Sequence, residues 1–203
     1  MKIICIGRNY SEHAKELGNE TPQEPVFFLK PDTAISPKGH PFFIPDFSQN
    51  IHYEVELVLK INRLGKHIEE RFAHKYYSEI GLGIDFTARD IQEEVKSKGL
   101  PWEKAKGFDG SAVVSQNFLA TQNMNLFEVP FSLKKNGTVV QRGNSKDMLF
   151  NFNKIISYLS QYYTLKIGDL IYTGTPSGVG SVIAGDVLEG YIEDKKMFEV
   201  IIK

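Results

Sequence analysis

The chain has 203 residues, with 24 Lys and Arg against 25 Asp and Glu and a formal net charge of -1. That length suits one domain with a sizeable core, and the even charge, with no basic block, argues against nucleic acid or an anionic membrane as partner. A single cysteine, Cys5, excludes an internal disulfide and a cysteine-rich metal site; with no signal peptide and no membrane-length apolar run expected, a cytoplasmic enzyme or binding protein is the default.

The first predicted element is a strand, Ile3 to Ile6, closed by Gly7, with Cys5 as a small core residue. A short helix follows from about Ser11 to Leu17, with Ser11 as N-cap and Gly18 as its stop. Six prolines interrupt the stretch from Thr21 to Pro45, where Val26–Leu29 and Phe42–Ile44 read as short strands between loops.

A longer strand is predicted from about Ile51 to Ile61. Alternation sends Glu54 and Glu56 out of one face, with Ile51, Tyr53, Val55, Leu57 and Leu59 on the other. Helical spacing is weak from Glu69 to Tyr77. The next apolar run, Ile80 to Phe86, is interrupted by Asp85, whose ionised carboxylate must be exposed, paired or bound to a metal. An edge strand showing its glutamates to water, and an Asp at a strand end, would explain these three residues too. If they converge, three oxygen donors suit Mg²⁺, Mn²⁺ or Ca²⁺ better than zinc.

A helix is predicted from about Ala88 to Lys98, stopped by Gly99. Asn136-Gly137, between the apolar flanks 129–135 and 138–142, predicts a type I′ hairpin. Phe152, Ile155, Ile156, Leu159, Tyr162 and Tyr163 share one face of a further helix. The tail reads as strands at Asp169–Tyr172, Val187–Ile192 and Met197–Ile202, with turns at Gly185 and Asp194-Lys195. The expected fold class is α+β, mainly β, with few short helices.

Six stretches, in order, carry more than these patterns do: Cys5-Ile-Gly-Arg-Asn-Tyr-Ser-Glu-His-Ala-Lys-Glu-Leu17, Pro25-Val-Phe-Phe-Leu-Lys-Pro31, His52-Tyr-Glu-Val-Glu-Leu57, Asp85-Phe-Thr-Ala-Arg-Asp-Ile-Gln92, Gly99-Leu-Pro-Trp-Glu-Lys-Ala-Lys-Gly-Phe-Asp109 and Thr173-Gly-Thr-Pro-Ser-Gly-Val-Gly180. Together the chain resembles the fumarylacetoacetate hydrolase (FAH) family, nearest to its acylpyruvate hydrolase and oxaloacetate decarboxylase members. The resemblance implies the FAH fold, a mixed β-sandwich roll, as one catalytic domain over residues 1–203 and usually a homodimer.

It also implies site residues. Glu54, Glu56 and Asp85 would bind one Mg²⁺ or Mn²⁺, with Ca²⁺ as a non-native occupant. His13 and Glu16 would form a hydrolytic dyad on a lid, and Lys106 would steady developing charge or return a proton, with Lys104 as its nearest confusable neighbour. Arg8, Lys30, Arg89, Gln92 and Thr175 would contact a small keto acid. Where many relatives carry Pro-x-Gly-Pro on the far side of the pocket, this chain has Gly110-Ser-Ala-Val-Val114, so the substrate tail does not carry over. The implied activity is metal-dependent cleavage of carbon–carbon bonds in 2,4-dioxo acids (acylpyruvates), releasing pyruvate, with decarboxylation of oxaloacetate from the same site. The rival readings are an isomerase or tautomerase of unsaturated keto-diacids and a non-catalytic protein that binds a small acid.

Overall fold

The computed structural model describes residues 1–16 and 21–203, without the side chains of residues 13–15 and 123. In chain order the elements are β1 (Ile3–Gly7), α1 (Ser11–Glu16), β2 (Val26–Lys30), β3 (Ile51–Tyr53), β4 (Val55–Ile61), β5 (Tyr77–Asp85) and β6 (Thr87–Ala88). Next come α2 (Arg89–Ser97), α3 (Glu103–Lys106), β7 (Ala112–Val114), β8 (Leu119–Ala120), β9 (Pro130–Lys135) and β10 (Thr138–Asn144). The chain ends through α4 (Phe152–Tyr162), β11 (Leu170–Tyr172), β12 (Gly180–Ser181), β13 (Val187–Ile192) and β14 (Lys195–Ile201). The expected mainly-β class with few helices is what the structure has.

The largest sheet runs β2-β1-β11-β4-β5-β7, with β8 added along β5; β1 and β11 pair parallel, and β4 lies antiparallel between β11 and β5. A four-stranded sheet, β10-β9-β13-β14, packs against it, and a small one runs β12-β3-β6. The core lies between the two larger sheets, where Leu57, Leu82, Leu133, Leu188 and Phe198 join one apolar cluster. The other face of the large sheet buries Ile3, Cys5, Val58 and Tyr172. β4 is therefore covered on both sides, and all of Val55–Leu59 is buried.

Two local devices set this frame. The Asn136-Gly137 turn has positive φ at both residues (51° and 80°), which a type I′ hairpin requires, and it joins β9 to β10. α4 starts at Asn151, whose side chain accepts a hydrogen bond from the Lys154 amide at 2.9 Å. Phe152, Ile155, Ile156 and Leu159 then fall on the buried face by their spacing. Tyr162, expected there too, is 53% exposed and stands off that face.

Other sequence expectations shift. Leu17 and Gly18, the expected end of the first helix, lie outside the described residues. Phe42 forms only an isolated bridge to Ile202 in place of a strand. Glu70–Tyr76 winds as a 3₁₀ helix. The expected single strand from Ile51 to Ile61 is divided at Glu54: β3 belongs to the small sheet and β4 to the large one. That division positions the site.

Candidate metal centre

Glu54 lies at the corner between β3 and β4, and Asp85 is the last residue of β5. Val55 pairs with Ile84, and the Asp85 amide donates to the Glu54 carbonyl at 2.9 Å, so the two acids face each other across the strand ends. Glu56, two residues on, points to the same side. One carboxylate oxygen from each of the three lies within 4.8 Å of the others, and all three residues are at most 5% exposed.

The corner is held by side chains. The Val55 amide donates to Gln141 Oε1 at 3.0 Å, and its carbonyl accepts from Thr175 Oγ1 at 2.9 Å. Gln141 Nε2 donates in turn to Thr175 Oγ1 at 2.9 Å and to the Pro176 carbonyl at 3.0 Å. The peptide between the two glutamates thus gets from Gln141 and Thr175 what a neighbouring strand would otherwise supply. Gln141→Leu is expected to leave the buried Val55 amide unpaired and to cost about 1–3 kcal/mol in urea-induced unfolding; an unchanged midpoint would show that the corner holds without it.

Three cations surround the acids. Lys106 Nζ donates to Glu54 Oε2 and Asp85 Oδ2 at 2.8 Å each and to Thr87 Oγ1 at 2.6 Å. Arg89 Nη2 meets Glu54 Oε1 at 2.5 Å, while its Nη1 donates to Gln92 Oε1. Lys30 Nζ lies 2.8 Å from Asp85 Oδ1 and also meets Ser111 Oγ and the Lys106 carbonyl. Gly174 N donates to Glu56 Oε2 at 2.7 Å, an approach that φ of +99° at Gly174 allows and a side chain there would disfavour.

The protonation pattern follows from burial and charge. Burial, then Asp85 and Glu54, push the Glu56 carboxyl well above the usual range, although Lys106 and the Gly174 amide pull against them. Burial pulls the Lys106 ammonium down, but Asp85 and Glu54 more than offset it, so Lys106 is held protonated. Burial and the Arg89 charge lower His52, whose Nδ1 accepts from Arg89 Nε at 3.4 Å, and keep that ring neutral.

The donors fit a hard divalent cation. They are all carboxylate oxygens, and Asp85 Oδ1 is buried without a hydrogen bond, with the Lys30 ammonium 2.8 Å away as its ion-pair partner. A buried carboxylate oxygen with no hydrogen bond, beside two other carboxylates, is what an ion would complete.

The sequence-nominated residues distribute as follows. Glu54, Glu56, Asp85, Arg89, Gln92, Lys106, Thr175 and Arg8 line one cavity. Lys106 is buried and Lys104 exposed, which separates the two lysines. Thr175 reaches the cavity, but its hydroxyl proton is committed to the Val55 carbonyl. Lys30, expected at the substrate, is absent from that lining: its side chain is fully buried and its ammonium lies against Asp85 and Ser111. The Glu16 carboxylate accepts the Gly178 amide at 3.1 and 3.2 Å, closing α1 onto the 173–180 loop. The His13 side chain lies outside the described residues. Sequence reasoning missed Gln141, Thr87, His52 and Trp102; Thr87, His52 and Trp102 stood inside quoted motifs without being singled out, and Gln141 lies outside all of them.

Among the described residues no helix is long and apolar enough to cross a membrane. A family model for the fumarylacetoacetate (FAA) hydrolase C-terminal region matches residues 2–200. The chain is 44% identical over 191 residues to the mitochondrial oxaloacetate tautomerase of Rattus norvegicus, covering 94% of this chain and 86% of that protein. It is 41% identical over 206 residues to the mitochondrial oxaloacetate decarboxylase of Dictyostelium discoideum, covering 100% and 94%. The crystal structure of fumarylpyruvate hydrolase from Pseudomonas aeruginosa, in complex with Mn²⁺ and pyruvate, superposes with a TM-score of 0.92 at 33% identity, covering 100% of this chain and 89% of that one.

Proposed function

We propose that this chain, which belongs to the fumarylacetoacetate hydrolase family, is a divalent-metal-dependent enzyme that cleaves the carbon–carbon bond of 2,4-dioxo acids and releases pyruvate. The observation that carries the reading is the buried cluster of Glu54, Glu56 and Asp85 with the Lys106 ammonium in contact with two of the acids, all lining one cavity. Glu54, Glu56 and Asp85 would hold Mg²⁺ or Mn²⁺, which when bound supplies Lewis-acid polarisation of a 2-oxo acid.

The chain's own groups divide the remaining work. Arg89, fixed by Glu54 and Gln92, presents a planar cation at the cavity wall where a carboxylate would lie. Glu16, with His13 as the partner the resemblance implies, takes a proton from water as its oxygen adds to C4. The C3–C4 bond then breaks with its electron pair passing to the pyruvate fragment. Lys106, kept charged by its two acids, offsets the negative charge that develops there and returns a proton to C3.

A second reading has its own support: the oxaloacetate tautomerase and decarboxylase relatives carry names for chemistry that needs no attacking water. The same charge stabilisation by Lys106 and Arg89 would serve keto–enol exchange or loss of CO₂ from oxaloacetate.

A panel of acetylpyruvate, fumarylpyruvate, oxaloacetate and a hydroxymuconate-type diacid, assayed with Mg²⁺ and with EDTA, separates the readings. Pyruvate release from acetylpyruvate that EDTA abolishes and Mg²⁺ restores supports hydrolysis, whereas turnover of oxaloacetate alone promotes the second reading. Turnover untouched by EDTA would refute both. Glu16→Gln is expected to lower acetylpyruvate hydrolysis by about 10²–10⁴-fold, the usual worth of a general base, with oxaloacetate turnover largely retained. An equal loss on both substrates would place Glu16 in a structural role, through its hold on Gly178.

A further inference from the structure

The cavity around the acids is small, about 110 Å³, and its outer wall is formed in part by Phe28 and Trp102. The same two residues line a second, shallower depression of about 470 Å³, together with Phe27, Leu29, Leu100 and Glu103. The two spaces thus share Phe28 and Trp102 as lining. Trp102 sits at the N-terminus of α3, and the Lys106 amide donates to its carbonyl at 3.0 Å, so the wall and the buried cation are one helical turn apart.

The indole is wedged on three sides. Its ring stands 5.8 Å, centre to centre, from Phe28 at a 56° tilt. The Arg8 guanidinium lies 6.0 Å above it. Gly7 of β1 passes below, where even a methyl group would come within 3.6 Å of the indole. The groove is mostly apolar: Leu100 is 50% exposed, Phe27 packs edge-on against Tyr163 at 5.7 Å, and Glu103 is its one charged lining residue.

We propose that Trp102 sets the length of acid the cavity accepts, and that the groove it also lines is the space an apolar tail enters once that wall is lowered. The inference rests on the 2-oxo acid reading above and deepens it. With the head of the acid held at the Glu54, Glu56 and Asp85 end, the chain beyond the reacting carbons runs outward and meets the indole. Short acyl groups fit in front of it, and longer alkyl chains collide with it. That Phe28 and Trp102 line both spaces is the reason the occupant of the groove is a substrate tail.

The test is calorimetric binding of straight-chain 2-oxo acids, from 2-oxobutanoate to 2-oxooctanoate, to the Mn²⁺-loaded protein. Wild type is expected to lose affinity as the chain lengthens. Trp102→Ala is expected to bind 2-oxooctanoate about tenfold tighter than wild type, the discrimination one methylene can command in an apolar pocket, with 2-oxobutanoate affinity nearly unchanged. Adding Leu100→Asp to Trp102→Ala is expected to erase the gain, which locates the tail in the groove. Should Trp102→Ala fail to fold, Trp102→Leu carries the same comparison. A length profile parallel to wild type in the folded variant, or a gain that survives Leu100→Asp, overturns the proposal. Absence of binding by the short acids in wild type would instead overturn the underlying function, a separate outcome.

Discussion

Asparagine in place of Asp85 is expected to abolish tight divalent-metal binding, and with it turnover. The substitution keeps the size and shape of the side chain and removes one negative charge from the cluster. Among the described residues Asp85 Oδ1 is the buried carboxylate oxygen with no hydrogen bond, so it is the donor most readily given to an ion. Substituting residues that merely orient metal ligands costs about 10–100-fold in affinity, and loss of a ligand itself should exceed that range. Titration calorimetry with Mn²⁺ reads the effect directly. The variant should also unfold more easily in EDTA, because Lys30 and Lys106 both lose their contact with a charged acid. Wild-type affinity for Mn²⁺ in Asp85→Asn would remove the basis of the proposed function.

The second large effect concerns Lys30. Its side chain is 0% exposed, and its ammonium is satisfied by Asp85, Ser111 and a backbone carbonyl. Methionine nearly matches its length and discards its charge. Removing one partner of a buried pair leaves Asp85 with Lys106 alone to offset its charge, so Lys30→Met is expected to cost up to about 3–5 kcal/mol of folding stability. Urea unfolding of the metal-free protein measures it. A residue that touched substrate would behave differently: stability would hold and KM would rise. That second pattern would return Lys30 to the cavity.

The contrast between Lys30 and Lys106 shows where the sequence stops being informative. Both lysines fall in quoted motifs, and the three acids announce themselves by interrupting apolar strands. The Asn136-Gly137 hairpin and the apolar face of α4 are equally local signals, and both are present in the fold. What decides the site is not local. Residues 51–57 alternate without a break, yet the chain changes sheets at Glu54 because Gln141 and Thr175 take over the bonds of Val55 from 86 and 120 residues away. No pattern within the strand could forecast that. Likewise, Lys30 reads as the polar end of a strand until the position of Asp85 is known. Trp102 looked like one more motif letter, and only the two spaces it lines give it a part.

The bracing of the Val55 peptide has a further outcome for how the protein comes into being. Its clasp is made of segments that are synthesised far apart and must travel to one another, the slow kind of contact in folding. A partly folded chain would therefore carry the same three acids as scattered surface charges with no particular appetite for an ion. Capture of a metal by these acids would then wait until Gln141 and Thr175 close on the bend.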